Sequence, residues 1–201
     1  LKKQSNDLRR LEKKIKNLGK FEYNLQTNRE NKIKIANEMI NLKQKQYRNT
    51  GVKNIIKNEM FKNFYLNLID FENFKQYIHI SSLTLNNRPI AVHYGLKDKN
   101  CFYYLMPAYN DELKSFSPGA ILMKNIVKES FDNGLGVFDF LPGNEIYKLR
   151  WSNSKFDIYE YIKPISIKGF LFFIFLKMKT YFKKNSKIKK ILYFIKRRYN
   201  K

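Results

Sequence analysis

The stretch that decides the fold is Gly136-Val137-Phe138-Asp139-Phe140-Leu141-Pro142-Gly143-Asn144-Glu145-Ile146-Tyr147-Lys148-Leu149-Arg150-Trp151. Its first half sets one carboxylate in a β-branched and aromatic run and stops at Pro142-Gly143, the pattern of a strand delivered into a turn. Asn144 then stands where a helix cap belongs, with Glu145 in the first turn. The short helix that follows carries Tyr147, Lys148, Arg150 and the only tryptophan, Trp151. A strand that ends in a turn and reopens as a helix, with a carboxylate before it and cations within it, is one way α/β enzymes present chemistry. A core strand followed by a surface helix has the same periodicity.

Upstream, the apolar spacing moves between the helical period and a period of two. Leu8, Leu11, Ile15 and Leu18 write a solvated amphipathic helix over 7–17 that stops at Gly19, and Phe21 to Leu25 alternates as a first strand. Thr27-Asn28-Arg29-Glu30 has capping-box form and opens a helix to about Arg48, with Ile33, Ala36, Ile40 and Tyr47 on one face. A further helix presents Met60, Phe61, Phe64, Tyr65 and Leu68 as a core stripe. From Gln76 the period becomes two, and 77–85, 89–96 and 101–106 read as an antiparallel meander. His79 and His93 lie inside these strands without partners at metal-ligand spacing and read as structural. After the meander, Ser117 is placed to cap a helix that begins at Pro118-Gly119, a ready seat for phosphate.

Downstream, Phe156 to Ile162 alternates as one more strand, and Pro164 closes the domain, so the expected division is 1–163 and a basic tail, 164–201. The tail holds +12 of the chain's formal +23 and no Asp or Glu. Its apolar run, Phe170 to Leu176, is far shorter than the ~20 residues of a spanning helix. Farther on, Ile188, Ile191, Leu192, Ile195 and Tyr199 share a helical face bordered by Lys189, Lys190, Lys196 and Arg197. Such a tail suits an anionic membrane surface, or packing against another protein part.

Composition bounds the rest. At 201 residues and 43% hydrophobic the chain can bury one real core. The positive charge would suit a polyanion, yet Asn fills 23 positions beside abundant Lys and Ile, a bias that AT-rich coding imposes, so charge alone names no partner. Cys101 is the single cysteine, which excludes an internal disulfide and a cysteine zinc cluster and fits a cytoplasmic setting. No nucleophile elbow, Walker A loop, dinucleotide fingerprint or acidic metal pair occurs.

The run Phe138 to Trp151 resembles the closing signature of the GNAT N-acyltransferase superfamily, in its CelD-like and Fem-like branch. Asp7-Leu8-Arg9-Arg10-Leu11-Glu12-Lys13-Lys14, Arg88-Pro89-Ile90-Ala91, and Ala108-Tyr109-Asn110-Asp111 leading to Ser117-Pro118-Gly119 agree with it in order. The resemblance implies a mixed α/β (α+β) fold, a central, mostly antiparallel sheet flanked by helices, with the basic helical tail appended. It implies transfer of an acetyl or aminoacyl group to an amino group of a sugar, cell-envelope precursor or polysaccharide. The donor would be acetyl-CoA, another acyl-CoA or aminoacyl-tRNA, with no metal. A partner half would lie upstream in the same protein, and the location would be cytoplasmic, peripheral on the inner face of the membrane. Asp139 and Lys148 take the catalytic places, Ser117 and Gly119 the donor phosphates, and Tyr109, Glu145, Tyr147, Arg150 and Trp151 the substrate. The glycine-rich loop usual before the donor helix is absent; only Gly119 remains of it. The rival structural role for Asp139 is an ion pair with Lys148 or Arg150 that fixes the turn, and the rival function is a non-catalytic module docking its tail on membrane or RNA.

Overall fold

In the computed structural model, which describes residues 2–50 and 55–184, the elements run α1 (Lys2–Lys16), β1 (Phe21–Leu25), α2 (Arg29–Thr50), α3 (Glu59–Asp70), β2 (Ile78–Leu85), β3 (Arg88–Lys97), β4 (Cys101–Tyr109), α4 (Pro118–Asp132), β5 (Val137–Asp139), α5 (Ile146–Trp151) and α6 (Ile167–Lys184). Short 3-10 turns precede α3 and α4. The sheet order is β1-β2-β3-β4-β5, antiparallel throughout except for β4 and β5, which are parallel. The chain divides into units 1–153 and 154–201.

Two apolar layers sandwich the sheet of the first unit. Ile35, Ala36, Met39 and Ile40 of α2 pack with Ile78, Ile80, Val92 and Tyr94 on one face. Ile121, Leu122 and Ile126 of α4 pack with Leu83, Ala91, Phe102 and Tyr104 on the other, where Leu8 and Ile15 of α1 also sit. The first helix is amphipathic as its spacing indicates: its apolar face is covered, its polar face is exposed, and its Glu12 pairs with Lys124 of α4. In α3 the stripe is Phe61, Tyr65, Leu68 and Ile69, while Met60 and Phe64 are exposed. Asn28 supplies the cap of α2, accepting from the Asn31 amide at 2.8 Å, where a Thr27 box was expected.

A bulge in β4 shapes everything beyond it. Tyr94 faces Met106 but Leu96 faces Tyr103, so two steps on β3 meet three on β4. The extra residue turns the strand over. Phe102 and Tyr104 face α4, whereas Met106 and Ala108 face α2. Pro107 lies within the strand, contrary to its expected end at Met106, because no strand pairs with β4 on its other side beyond Tyr103 and the missing N–H costs no ladder bond.

The α4 face also buries a polar chain. Glu129 of α4 accepts from the Tyr23 hydroxyl and lies 3.1 Å from Nε2 of His79, which is 2% exposed. His93 is fully buried, its ring stacked 4.4 Å from that of Tyr104. Both histidines are thus buried in the core. Among the described residues no group of His, Cys, Asp or Glu is placed to hold a metal ion.

In the second unit, residues 154–165 join no sheet, so the expected strand at Phe156 to Ile162 is not formed. A strand needs a ladder partner, and alternation alone does not supply one. Ser166 caps α6, its Oγ accepting from the Gly169 amide at 3.1 Å. No helix among the described residues is long and apolar enough to cross a membrane, and the expected face from Ile188 to Tyr199 lies outside the described residues.

Candidate active site

The parallel pair of β4 and β5 is joined over three registers only, Cys101 to Val137, Phe102 to Phe138 and Tyr103 to Asp139, and then parts. Aromatic rings close the joined end: Phe102 stacks on Phe138 at 5.0 Å, and Tyr104 meets Phe140 edge-on at 5.9 Å. Beyond the parting, the last residues of β4 form one wall and the turn from Phe140 to Glu145 the other. Ligands of open sheets bind outside the carboxyl ends of strands that separate in this way.

On the β4 wall, α2 reaches in. Lys43 Nζ donates to the Pro107 carbonyl at 2.8 Å, and Gln46 Nε2 donates to the Tyr109 carbonyl at 3.3 Å. Burial pulls the Lys43 ammonium below its ordinary pKa, and the charge of Glu145 opposes that pull. Lys43 therefore stands between the β4 carbonyls and the carboxylate that follows β5. Neither Lys43 nor Gln46 was visible as a site residue in the sequence, because each sits on the polar side of an amphipathic helix and meets β4 more than 60 positions later.

On the other wall the quoted stretch folds around one cation. Lys148 is 9% exposed, and its Nζ donates to the carbonyls of Leu141 at 3.2 Å and Pro142 at 3.0 Å while pairing with Glu145 Oε2 at 2.9 Å. The first bonds absorb carbonyls that a tight turn would otherwise leave bare. Gly143 is required there, since its φ is +144° and an added Cβ would lie 2.6 Å from Lys148 Nζ. Lys148 holds Glu145 below the ordinary glutamate pKa, with burial opposing. Asp139 takes no part in this bracket: it is exposed and its Oδ1 accepts from the Leu141 amide at 2.7 Å, supporting the left-handed Leu141 (φ +60°). The rival ion pair of Asp139 with Lys148 or Arg150 is not formed; Lys148 pairs instead with Glu145, three residues apart on one helical turn. The cap of α5 is Glu145 rather than Asn144, and it caps with its backbone alone.

The remaining expected residues separate. Tyr147 lies edge-on to Phe140 at 6.3 Å, and burial, then the Glu145 charge, raises its phenol pKa. Trp151 is half-buried against the α4-side core, and Arg150 is exposed. At the start of α4, Ser117 is left-handed (φ 51°) and its hydroxyl makes no cap bond, contrary to its expected role, because it also terminates the preceding 3-10 turn. Its carbonyl accepts from Ala120 and Ile121, and Pro118 has no N–H, so the Gly119 amide is the donor left at that helix end. The Tyr109 ring lies against Gly119, where an added Cβ would sit 3.1 Å from Tyr109 Cδ1. Tyr109 and Gly119 are therefore in contact. A separate cavity of ≈ 270 Å³ lies at the far end of the sheet, lined by His79, Lys97, Glu129 and Asn133 among others, away from the parting strands.

Solved structures share this fold. The chain is similar to a GCN5-related N-acetyltransferase from Ralstonia eutropha JMP134 (13% identity, TM-score 0.54, covering 71% of this chain and 99% of that one). It is similar to a predicted acetyltransferase from Clostridium acetobutylicum solved with acetyl-CoA (10%, TM-score 0.51, 72% and 96%). It also resembles an aminoglycoside acetyltransferase from an uncultured soil metagenomic sample in complex with sisomicin (13%, TM-score 0.50, 76% and 99%). No curated sequence matches the chain. The family model for the acetyltransferase (GNAT) domain matches residues 2–149, and the chain belongs to that family. It is an acyltransferase domain of the GNAT type.

Proposed function

We propose that the first unit transfers an acyl group from a thioester donor to the amino group of an amino sugar or cell-envelope precursor. The observation that carries this reading is the parting of β4 and β5 beside the free Gly119 amide. The residues fit such a donor. The Gly119 amide and the positive end of α4 suit a phosphate, and the half-buried Phe138 and Phe140 offer apolar walls to a thin chain. Acetyl-CoA, when bound, supplies an activated acyl carbonyl. The sugar-type acceptor rests on the resemblance of the Phe138 to Trp151 string, with the solved neighbours supporting the fold alone.

What the chain's own residues do follows from the two walls. Lys148 acts through the turn: it sets Leu141, Pro142 and Glu145 in place without reaching open space itself. Lys43 brings a partly desolvated positive charge into the opening, where a preorganised donor is worth more than in water. Tyr147 Oη carries its proton at neutral pH, and because burial and then the Glu145 charge raise its pKa it can donate a hydrogen bond to a departing thiolate rather than act as a strong acid. Glu145, its carboxylate flanked by both lysines, orients the acceptor ammonium, which gives its proton to water before the neutral amine attacks, since the lysines lower the carboxylate's basicity.

The test is a transfer assay on the full chain, with thiol release followed as acetyl-CoA and then amino sugars are supplied, and aminoacyl-tRNA tried as the second donor. Thiol release that requires an amino sugar supports the reading. Turnover with aminoacyl-tRNA alone would move the donor to the Fem-like type. Absence of transfer and of donor binding would leave the unit a non-catalytic module.

A further inference from the structure

The second unit carries an apolar surface that the transfer chemistry does not use. In α6, Phe170, Leu171, Phe172, Ile174 and Phe175 are all exposed, by 40% to 63%. Before the helix, Phe156, Tyr159, Tyr161 and Ile165 are exposed by 86% or more. A run of exposed aromatics on this scale marks an interaction site.

We infer that α6 is an anchor that inserts its first turns into an anionic lipid bilayer. Three features choose lipid over a protein groove. From Gly169 to Leu176 there is no charged residue, and at ~100° per residue these side chains point to every side of the helix. A protein groove covers one stripe, whereas lipid covers all sides. The run is short: at ~1.5 Å per residue it reaches on the order of 12 Å, enough to pass the headgroups and too little to span ~30 Å of hydrocarbon. Charge complementarity completes the case. Lys168 stands before the run and Lys177, Lys179, Lys183 and Lys184 after it, and no Asp or Glu occurs beyond Glu160. Ammonium groups at both ends can reach phosphate oxygens while the aromatic stretch leaves water. The family match ends at residue 149, so the anchor is an addition to the acyltransferase domain rather than part of it.

The experiment uses the full chain and vesicles of phosphatidylcholine with and without phosphatidylglycerol. Co-sedimentation should require phosphatidylglycerol for tight binding, weaken in high salt and persist in part. Phe172→Trp should gain a blue-shifted emission that brominated lipids quench, read against the wild-type signal of Trp151. The double variant Phe172→Ser, Phe175→Ser should weaken binding by more than about tenfold, and Lys177→Glu with Lys179→Glu should remove the preference for phosphatidylglycerol. Melting of the first unit, read from Trp151, should stay unchanged in all of them. Binding that high salt abolishes and Phe172→Ser, Phe175→Ser leaves intact would overturn insertion, as would an RNA gel shift without vesicle binding. Concentration-dependent dimerisation that hides the tryptophan of Phe172→Trp in the absence of lipid would instead assign the face to a second copy.

Discussion

Two lysines face each other in role across the parting of β4 and β5. Lys148 is tied to Leu141, Pro142 and Glu145, all within seven positions of it in sequence, and leaves nothing for a ligand. Lys43 comes from α2, spends one bond on Pro107, and keeps its remaining protons near the opening. The difference separates a cation that builds the site from one that serves it. It also inverts the expectation from the sequence, in which Lys148 was the catalytic candidate and Lys43 one surface lysine among many.

Breaking each lysine separately sharpens that contrast. Lys148→Met should cost about 2–4 kcal/mol, since carbonyls of the turn and Glu145 lose their partner together. At ~2–4 °C per kcal/mol for a domain of this size, melting should fall by roughly 4–16 °C. Transfer assayed well below that melting point should drop much less steeply than it does for Lys43→Met. Lys43→Met should instead reduce the transfer rate by about 10–100-fold with melting nearly unchanged, the signature of a lost electrostatic donor. Equal melting losses in both variants would dissolve the distinction.

The buried polar chain on the α4 face gives a smaller and pH-dependent effect. Burial holds the His93 pKa well below its ordinary value, with the charges of His79 and Lys43 adding to the shift. The unfolded chain therefore binds a proton that the folded one refuses. This stability is fully present above the unfolded value of ~6.5 and is lost as pH falls from there toward the folded value, at up to about 1.4 kcal/mol per pH unit. His93→Phe keeps a ring against Tyr104 and should flatten the decline of melting temperature between neutral and mildly acidic pH. A slope that survives the substitution would assign it to other groups.

Glu129 should give the smallest shift. Burial raises its pKa, but bonds from His79 and Tyr23 outweigh that and leave it lowered. Its contribution is present above the ordinary glutamate value of ~4.3 and disappears as pH falls below it. Glu129→Gln should accordingly lower melting at neutral pH and narrow the gap to wild type in acid.

Much of the scaffold was legible in the sequence because it is local. The change of period at residue 77, Gly19 as a helix stop and Pro142-Gly143 as a turn each reflect backbone chemistry within a few residues. The string from Phe138 to Trp151 folds on itself, so its strand, turn and helix could be read together. What escaped is what only the assembled sheet creates. The β4 bulge arises from how β3 and β4 register, and it lets Pro107 remain in the strand. Ser117 reads as a good cap until the turn before it forces a left-handed backbone. Glu129, Tyr23 and His79 come from three separate elements, and Lys43 finds Pro107 only after α2 lies across β4. The alternation from Phe156 to Ile162 shows the converse error, a strand pattern without an edge to join.

The claim on which the rest depends is that a donor lies between the parted strands and against the start of α4. Amide hydrogen exchange of the full chain, with and without acetyl-CoA, tests it most directly. Exchange should slow at Gly119 and Tyr109, with the distant turn at Lys97 to Asn100 unchanged. Binding of acetyl-CoA that leaves Gly119 and Tyr109 unprotected, or that protects the far cavity around His79 and Lys97 instead, would contradict it.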